Sequence, residues 1–325
     1  MRITAVLTRI GARPNPPSSL SSARLARLSR LLVCVAVGVI AGSHPLGAQP
    51  ASSAPVQYID HIMIRTDDPQ SLFAFFSGTL QLPIAWPLAD RNGVVSGGVG
   101  FGNVNVEAIR FPGQINGPEA TRLLGLALKP VSLDQTLAEL RRRGVAYGAP
   151  RPFVAEGPDG ARVTSFTNVT LQDFSDADLP GQATVHVFLS EYNPTYVDAV
   201  ERRRRLRNEL AAQQGGPLRL IRVQEVVIGT PDLRAANRNW ERLVAPTSPS
   251  DGTLWRIGDG PAIRLVRAER TMIQGLVLSV ASLATAREFL EKRKLLGASS
   301  ETELVILPSQ IGDLDIRLVG ESPIR

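Results

Sequence analysis

The sequence predicts an α+β chain assembled from repeated strand–helix–strand units, and three observations predict it. Runs rich in Val, Ile and Leu alternate with short helices that open on Asp, Ser or Thr-Pro caps. A strand, a helix and then two or three more strands recur four times between residues 56 and 320. Hydrophobic residues make up 43% of the 325 residues and charged residues 20%, which suits about two folded domains and excludes disorder, collagen and a multi-span membrane protein.

In the first unit Tyr58–Thr66 reads as a strand. Asp67-Asp68-Pro69 then opens a helix with Leu72, Phe75, Phe76 and Leu80 on one face. Strands follow at Ile84–Leu88, Val94–Phe101 and Val104–Phe111, separated by the turn dipeptides Asn92-Gly93 and Gly102-Asn103. The second unit has a strand at Leu123–Leu128 and a helix capped by Ser132. Its further strands are Val145–Phe153, Ala161–Leu171 and Thr184–Glu191. The third begins at Leu220–Gly229, with Thr230-Pro231 capping a helix that carries Leu233, Ala236, Trp240 and Leu243; Leu254–Ile257 and Ala262–Arg267 complete it. The fourth runs from Ile273–Val280 through a helix starting at Ser282 to strands at Glu303–Leu307 and Leu314–Val319. Between the second and third units, residues 198–217 form a basic connector helix containing Glu201-Arg202-Arg203-Arg204-Arg205-Leu206-Arg207. With Glu201 and Glu209 offsetting the charge and no interleaved aromatics, it reads as a solvated helix.

Residues 1–48 read as an export signal. Six Arg and no acidic residue precede Tyr58, the apolar run Leu31–Gly42 is too short for a membrane span of about 20 residues, and a small-residue cut follows Ala48. The mature chain is therefore expected in the periplasm or outside the cell, an uncleaved N-terminal anchor being the alternative. Those six Arg account for the whole net charge of +6, so the remainder is neutral and no nucleic-acid partner is expected. No membrane contact is expected beyond the export signal, and oligomeric state is not readable. Cys34 is the only cysteine and lies in the leader, which excludes disulfides and thiolate chemistry from the mature chain.

Glu107 interrupts the apolar strand Val104–Ile109, and a buried carboxylate needs a partner: a metal, Arg65, Arg110 or water. His61 starts a strand on the same face as Met63 and Arg65. Asp60, Asp67 and Asp68 read as turn and cap residues. Trp86, Phe153, Phe166 and Tyr192 are candidates for lining an apolar cavity. Gly97–Gly102 has no following Lys-Ser/Thr or helix, so it reads as a curved strand and not as a phosphate loop.

The stretch Tyr58–Leu82 (YIDHIMIRTDDPQSLFAFFSGTLQL), with Asn103–Phe111 (NVNVEAIRF), resembles the first half of a vicinal-oxygen-chelate module, the superfamily of glyoxalases, bleomycin-resistance proteins and extradiol dioxygenases. Val187–Pro194 (VFLSEYNP) is similar to its exported or uncharacterised glyoxalase-like members. The resemblance implies tandem βαβββ units paired into two cupped sheets: module one at 56–197 and a degenerate module two at 218–320. It also implies a divalent metal (Zn, Fe, Mn, Co or Ni) held in the cup by the first and last strands of each unit. That places His61 and Glu107 as ligands, Gly125 at a position without a ligand, and Glu191, preferred over His186, as third ligand and catalytic base. In module two the corresponding positions are Glu225, one near Leu265, Gln274 and, near the end of unit four, Asp313 or Asp315. A set with one His departs from the 2-His-1-carboxylate pattern, which argues against O₂ activation. The implied function is a metal-dependent isomerase or lyase acting on a small oxygen-rich substrate, with metal-free small-molecule binding, of the resistance type, as the alternative.

Overall fold

Asp68, Ser132, Asp232 and Ser282 each accept a hydrogen bond from the backbone N–H three residues on, and each starts a helix. The third cap is thus Asp232 and not the expected Thr230-Pro231. The computed structural model describes residues 54–113, 121–156, 160–249 and 251–321, so the expected leader lies outside the described residues.

Unit one comprises β1 (Val56–Arg65), α1 (Pro69–Ala74, continuing as a wider turn at Phe75–Thr79), β2 (Ile84–Arg91), β3 (Val94–Gly100) and β4 (Asn105–Arg110). Unit two comprises β5 (Arg122–Pro130), α2 (Leu133–Arg142), β6 (Arg151–Glu156), β7 (Arg162–Thr170) and β8 (His186–Tyr192). The connector helix is α3 (Ala199–Ala212). Unit three holds β9 (Leu220–Thr230), α4 (Leu233–Val244), β10 (Leu254–Arg256) and β11 (Ala262–Arg267). Unit four holds β12 (Met272–Val280), α5 (Leu283–Lys292), β13 (Leu296–Ser299), β14 (Glu303–Ile306) and β15 (Asp315–Gly320).

Two curled sheets result, ordered β2-β3-β4-β1-β5-β8-β7-β6 and β10-β11-β9-β12-β15-β14-β13. In the first, β1 runs parallel to β4 and antiparallel to β5, and β5 runs parallel to β8. Two βαβββ units therefore join across the β1/β5 seam. The second sheet repeats the plan across β9/β12 with one strand fewer.

One face of each sheet is covered by helices. Ile59, Ile62 and Ile64 of β1 pack there with Leu72 and Phe76, in an apolar cluster that also takes in Val226, Leu243 and Leu276 of the second module. Met63, Ile109, Leu124 and Phe188 form a separate cluster on the other face, inside the first cup. The modules are also pinned by Asn103, whose amide pairs with both the carbonyl and the N–H of Val223 at 3.0 Å.

Both first strands carry a bulge at the same place. In the β1/β5 ladder Ile59 pairs with Leu128 and His61 with Ala127, which leaves Asp60 unpaired. In β9/β12, Val223 pairs with Leu278 and Glu225 with Val277, which leaves Gln224 unpaired. An extra residue re-aims its neighbours, so two consecutive side chains can reach one face. Asp60 is accordingly not the turn residue that the sequence suggests: it lies inside β1 and is buried.

Candidate active site in the first cup

The imidazole of His61 is held from both sides. Its Nδ1 is 2.9 Å from Asp60 Oδ2, and its Nε2 is 3.5 Å from Glu107 Oε2. Trp86 and Phe188 meet the ring edge-on, each with centroids 5.8 Å away. The second oxygen of Glu107 accepts a short hydrogen bond from the Ser96 hydroxyl, and Trp86 Nε1 donates to that hydroxyl at 3.2 Å. Neither Arg65 nor Arg110 is the partner of Glu107. Arg110 donates to the Asp67 carbonyl, and the buried Nε of Arg65 has no hydrogen bond among the described residues.

Asp60 is the anchor. Its carboxylate is 1% exposed and accepts from Tyr192 OH at 2.7 Å and from Arg202 at 3.0 and 3.1 Å. Burial alone would raise its pKa. The hydrogen bond from His61 and the charge of Arg202 outweigh burial and hold the carboxyl well below the usual carboxylate range. The hydroxyl of Tyr192 moves the other way, pushed up first by burial and then by the Asp60 charge, so it stays protonated as a donor. The ring thus presents Nδ1 to the Asp60 carboxylate and Nε2 to Glu107.

Register identifies which positions correspond between units. His61, Gly125, Glu225 and Gly275 each lie seven residues ahead of a helix cap. Their partners on the last strands are Asn105, His186, Ala262 and Asp315. Two residues further along come Glu107, Phe188, Arg264 and Arg317. The position expected near Leu265 is therefore Arg264, and Gly275 and Arg317 stand where Gln274 and Asp313 or Asp315 were expected. In the first cup the equivalent of Glu107 is Phe188 and not Glu191. Strand alternation turns Glu191 away from its neighbour Tyr192, and it forms an ion pair with Lys129 at 2.8 Å. The structure brings His61 and Glu107 together and leaves Glu191 apart. His186 is buried, with no hydrogen-bond partner at Nδ1 among the described residues, and burial pushes its pKa down to about 4. Gly125 beside it is required by space, since a Cβ there would lie 2.1 Å from the His186 carbonyl oxygen.

No protein-family model matches the sequence, and no curated protein matches it. Solved structures do match. A variant of 4-hydroxymandelate synthase from Streptomyces coelicolor is similar over 83% of this chain and 94% of its own, at 13% identity and a TM-score of 0.52. A hypothetical protein from Staphylococcus aureus is similar over 82% and 100%, at 10% identity and 0.51. An extradiol ring-cleaving dioxygenase from B. fuscum is similar over 84% and 75%, at 14% identity and 0.50. The chain shares the fold of these solved structures.

The donors that this fold presents in its first cup suit a divalent metal in two respects. Two ligands bound at about 2.1 Å with a tetrahedral angle stand roughly 3.4 Å apart, close to the His61–Glu107 separation. A metal-binding His characteristically gives its other N–H to a carboxylate, as His61 does to Asp60. The protein supplies two such donors, because Gly125 and Phe188 occupy the other two equivalent positions. Among the described residues no group of three or more His, Cys, Asp or Glu side chains is gathered to hold an ion.

Proposed function

We propose that the first cup is the working site of a small-molecule enzyme, in which a divalent metal (Zn, Fe, Mn, Co or Ni) is held by His61 and Glu107 and an oxygen-rich substrate undergoes isomerisation or lyase chemistry. The observation that carries this reading is the 3.5 Å approach of His61 Nε2 to Glu107 Oε2, with the other ring nitrogen tied to the buried Asp60. The fold-level likeness to a hydroxymandelate synthase and an extradiol dioxygenase supports the substrate class. A bound metal would supply Lewis acidity toward substrate oxygens. Asp60 keeps the Nε2 lone pair turned to the cup. Ser96 occupies one oxygen of Glu107 and leaves the other, facing His61, to hold the metal. Trp86 and Phe188 keep water from the imidazole.

Metal analysis of the purified chain tests this. Stoichiometric metal in the native chain and in Glu191→Gln, lost in His61→Ala and Glu107→Gln, is expected. Metal that persists in both of the latter variants would refute the assignment. The presence of Gly125 and Phe188 where further ligands would stand favours a second reading, a metal-free small-molecule binder in which His61 and Glu107 bind the ligand directly. Metal-free native protein would select it. The leader at residues 1–48 supports action outside the cytoplasm, which N-terminal sequencing of the exported product would test.

A further inference from the structure

One side chain of the connector helix reaches into the first cup. Arg204 and Arg205 of α3 pair with Glu201 and Glu209 on the surface, as a solvated helix should. Arg202 does not. Its side chain is 13% exposed and donates to both oxygens of Asp60. The guanidinium also lies 5.3 Å from the Trp86 ring centroid and 5.1 Å from that of Tyr192. Arg203, the next residue, fixes the rotation of the helix: it stacks on Tyr58 at 4.1 Å, donates to the Asn103 carbonyl at 2.8 Å and pairs with Asp259 of the second module at 2.7 Å.

We propose that Arg202 is a positioning residue for the site: by fixing the Asp60 carboxylate from the connector helix, it sets the His61 imidazole with its proton on Nδ1 and its lone pair toward Glu107. Arg202 donates to both oxygens of Asp60 and Tyr192 to Oδ2, the oxygen that faces the ring, so the carboxylate is clamped beside Nδ1. Without the guanidinium only the Tyr192 hydroxyl, among the described residues, holds that carboxylate, and the ring is freer to carry its proton on either nitrogen. The working site then belongs to module one plus the connector, and not to the sheet alone. The inference rests on His61 being the functional group of the proposed site, but its test reads the ring directly, in protein free of metal.

The test is ¹⁵N NMR of histidine-labelled full-length protein stripped of metal, at about pH 8.5, two units above the ordinary imidazole pKa. The His61 signals are assigned by their loss in His61→Gln. The native chain is expected to show the Nδ1–H tautomer. Arg202→Gln is expected to shift the tautomer ratio at least threefold toward Nε2–H, and Arg202→Lys to shift it less. Where metal binds, Co²⁺ affinity of Arg202→Gln is expected to fall about 10- to 100-fold. A native chain in the Nε2–H form, or a folded Arg202→Gln with the native ratio, overturns the proposal. Should Arg202→Gln not fold, Arg202→Lys carries the comparison, and a folded Lys variant with an unchanged ratio overturns it equally. Failure of metal binding alone leaves the tautomer result standing, so the two readings fail separately.

Discussion

The two cups share a bulge and a register but fill the same three positions with opposite chemistry. Cup one presents Asp60, His61 and Glu107; cup two presents Gln224, Glu225 and Arg264. In cup two the pair satisfies itself: Arg264 donates to both oxygens of Glu225 and reaches Asp251 as well. In cup one the facing atoms are an imidazole nitrogen and a carboxylate oxygen 3.5 Å apart, a pair that a cation or a proton can join. The backbone thus provides the site geometry twice, and side-chain identity alone decides whether the place is a closed salt bridge or an open pair of donors.

The comparison breaks first at the bulge residue. Asp60→Ala leaves Arg202 buried without its partner and is expected to cost about 3–5 kcal/mol in urea denaturation. Gln224→Ala, at the same place in cup two, is expected to cost under about 1 kcal/mol. Equal costs would mean that the anchor is no special feature of cup one.

A second contrast lies at His186 and its counterpart Asp315. Asp315 pairs with Arg317 near solvent, whereas His186 is buried and held neutral, first by burial and further by the positive charge of Arg151. Its folded pKa of about 4 lies below the unfolded 6.5, so its contribution is complete above pH 6.5 and is lost as pH falls toward 4. That drop is about 3 kcal/mol. The pH dependence of unfolding between those values should flatten in His186→Phe; an unchanged slope would assign the loss to other groups.

The contrast sharpens by transplant. Gln224→Asp/Glu225→His/Arg264→Glu installs the cup-one residues in cup two. Losing a partly exposed ion pair should cost about 1 kcal/mol or less. Calorimetry should show metal affinity about 10- to 100-fold weaker than in cup one, because no arginine from a connector stands behind the new carboxylate. The smallest effect is expected at Glu191→Gln, which removes the Lys129 pair for under about 1 kcal/mol and leaves metal content unchanged.

Much of the fold was legible because it is local. The caps at Asp68, Ser132 and Ser282 and the turn at Asn92-Gly93, where both residues take positive φ, are written in short patterns. The four-fold recurrence then gave the architecture. The site was half legible. His61 and Glu107 could be placed because the family resemblance puts both at ligand positions and Glu107 interrupts an apolar strand; His61 lies in the middle of β1 and not at its start. Asp60 was missed because strict alternation puts it opposite His61, and no residue pattern announced the bulge that overrides alternation. Its one signal is the repeat itself, since Asp60 and Gln224 lie equally far ahead of their helix caps. Arg202 was hidden in a run of four arginines, where only tertiary packing tells the inserted side chain from the solvated ones. Glu191 was overvalued because alignment by the following Tyr192-Asn193-Pro194 ignored the register of β8 against β5, which gives the position to Phe188.

The most direct measurement is a Co²⁺ titration of the metal-free chain followed by NMR, since a paramagnetic ion shifts and broadens signals according to their distance from it. One equivalent perturbing His61, Met63 and the Glu107 strand, with cup two silent and the effect abolished in His61→Ala, is the predicted result. Perturbation centred on cup two, or undiminished in His61→Ala, would contradict it.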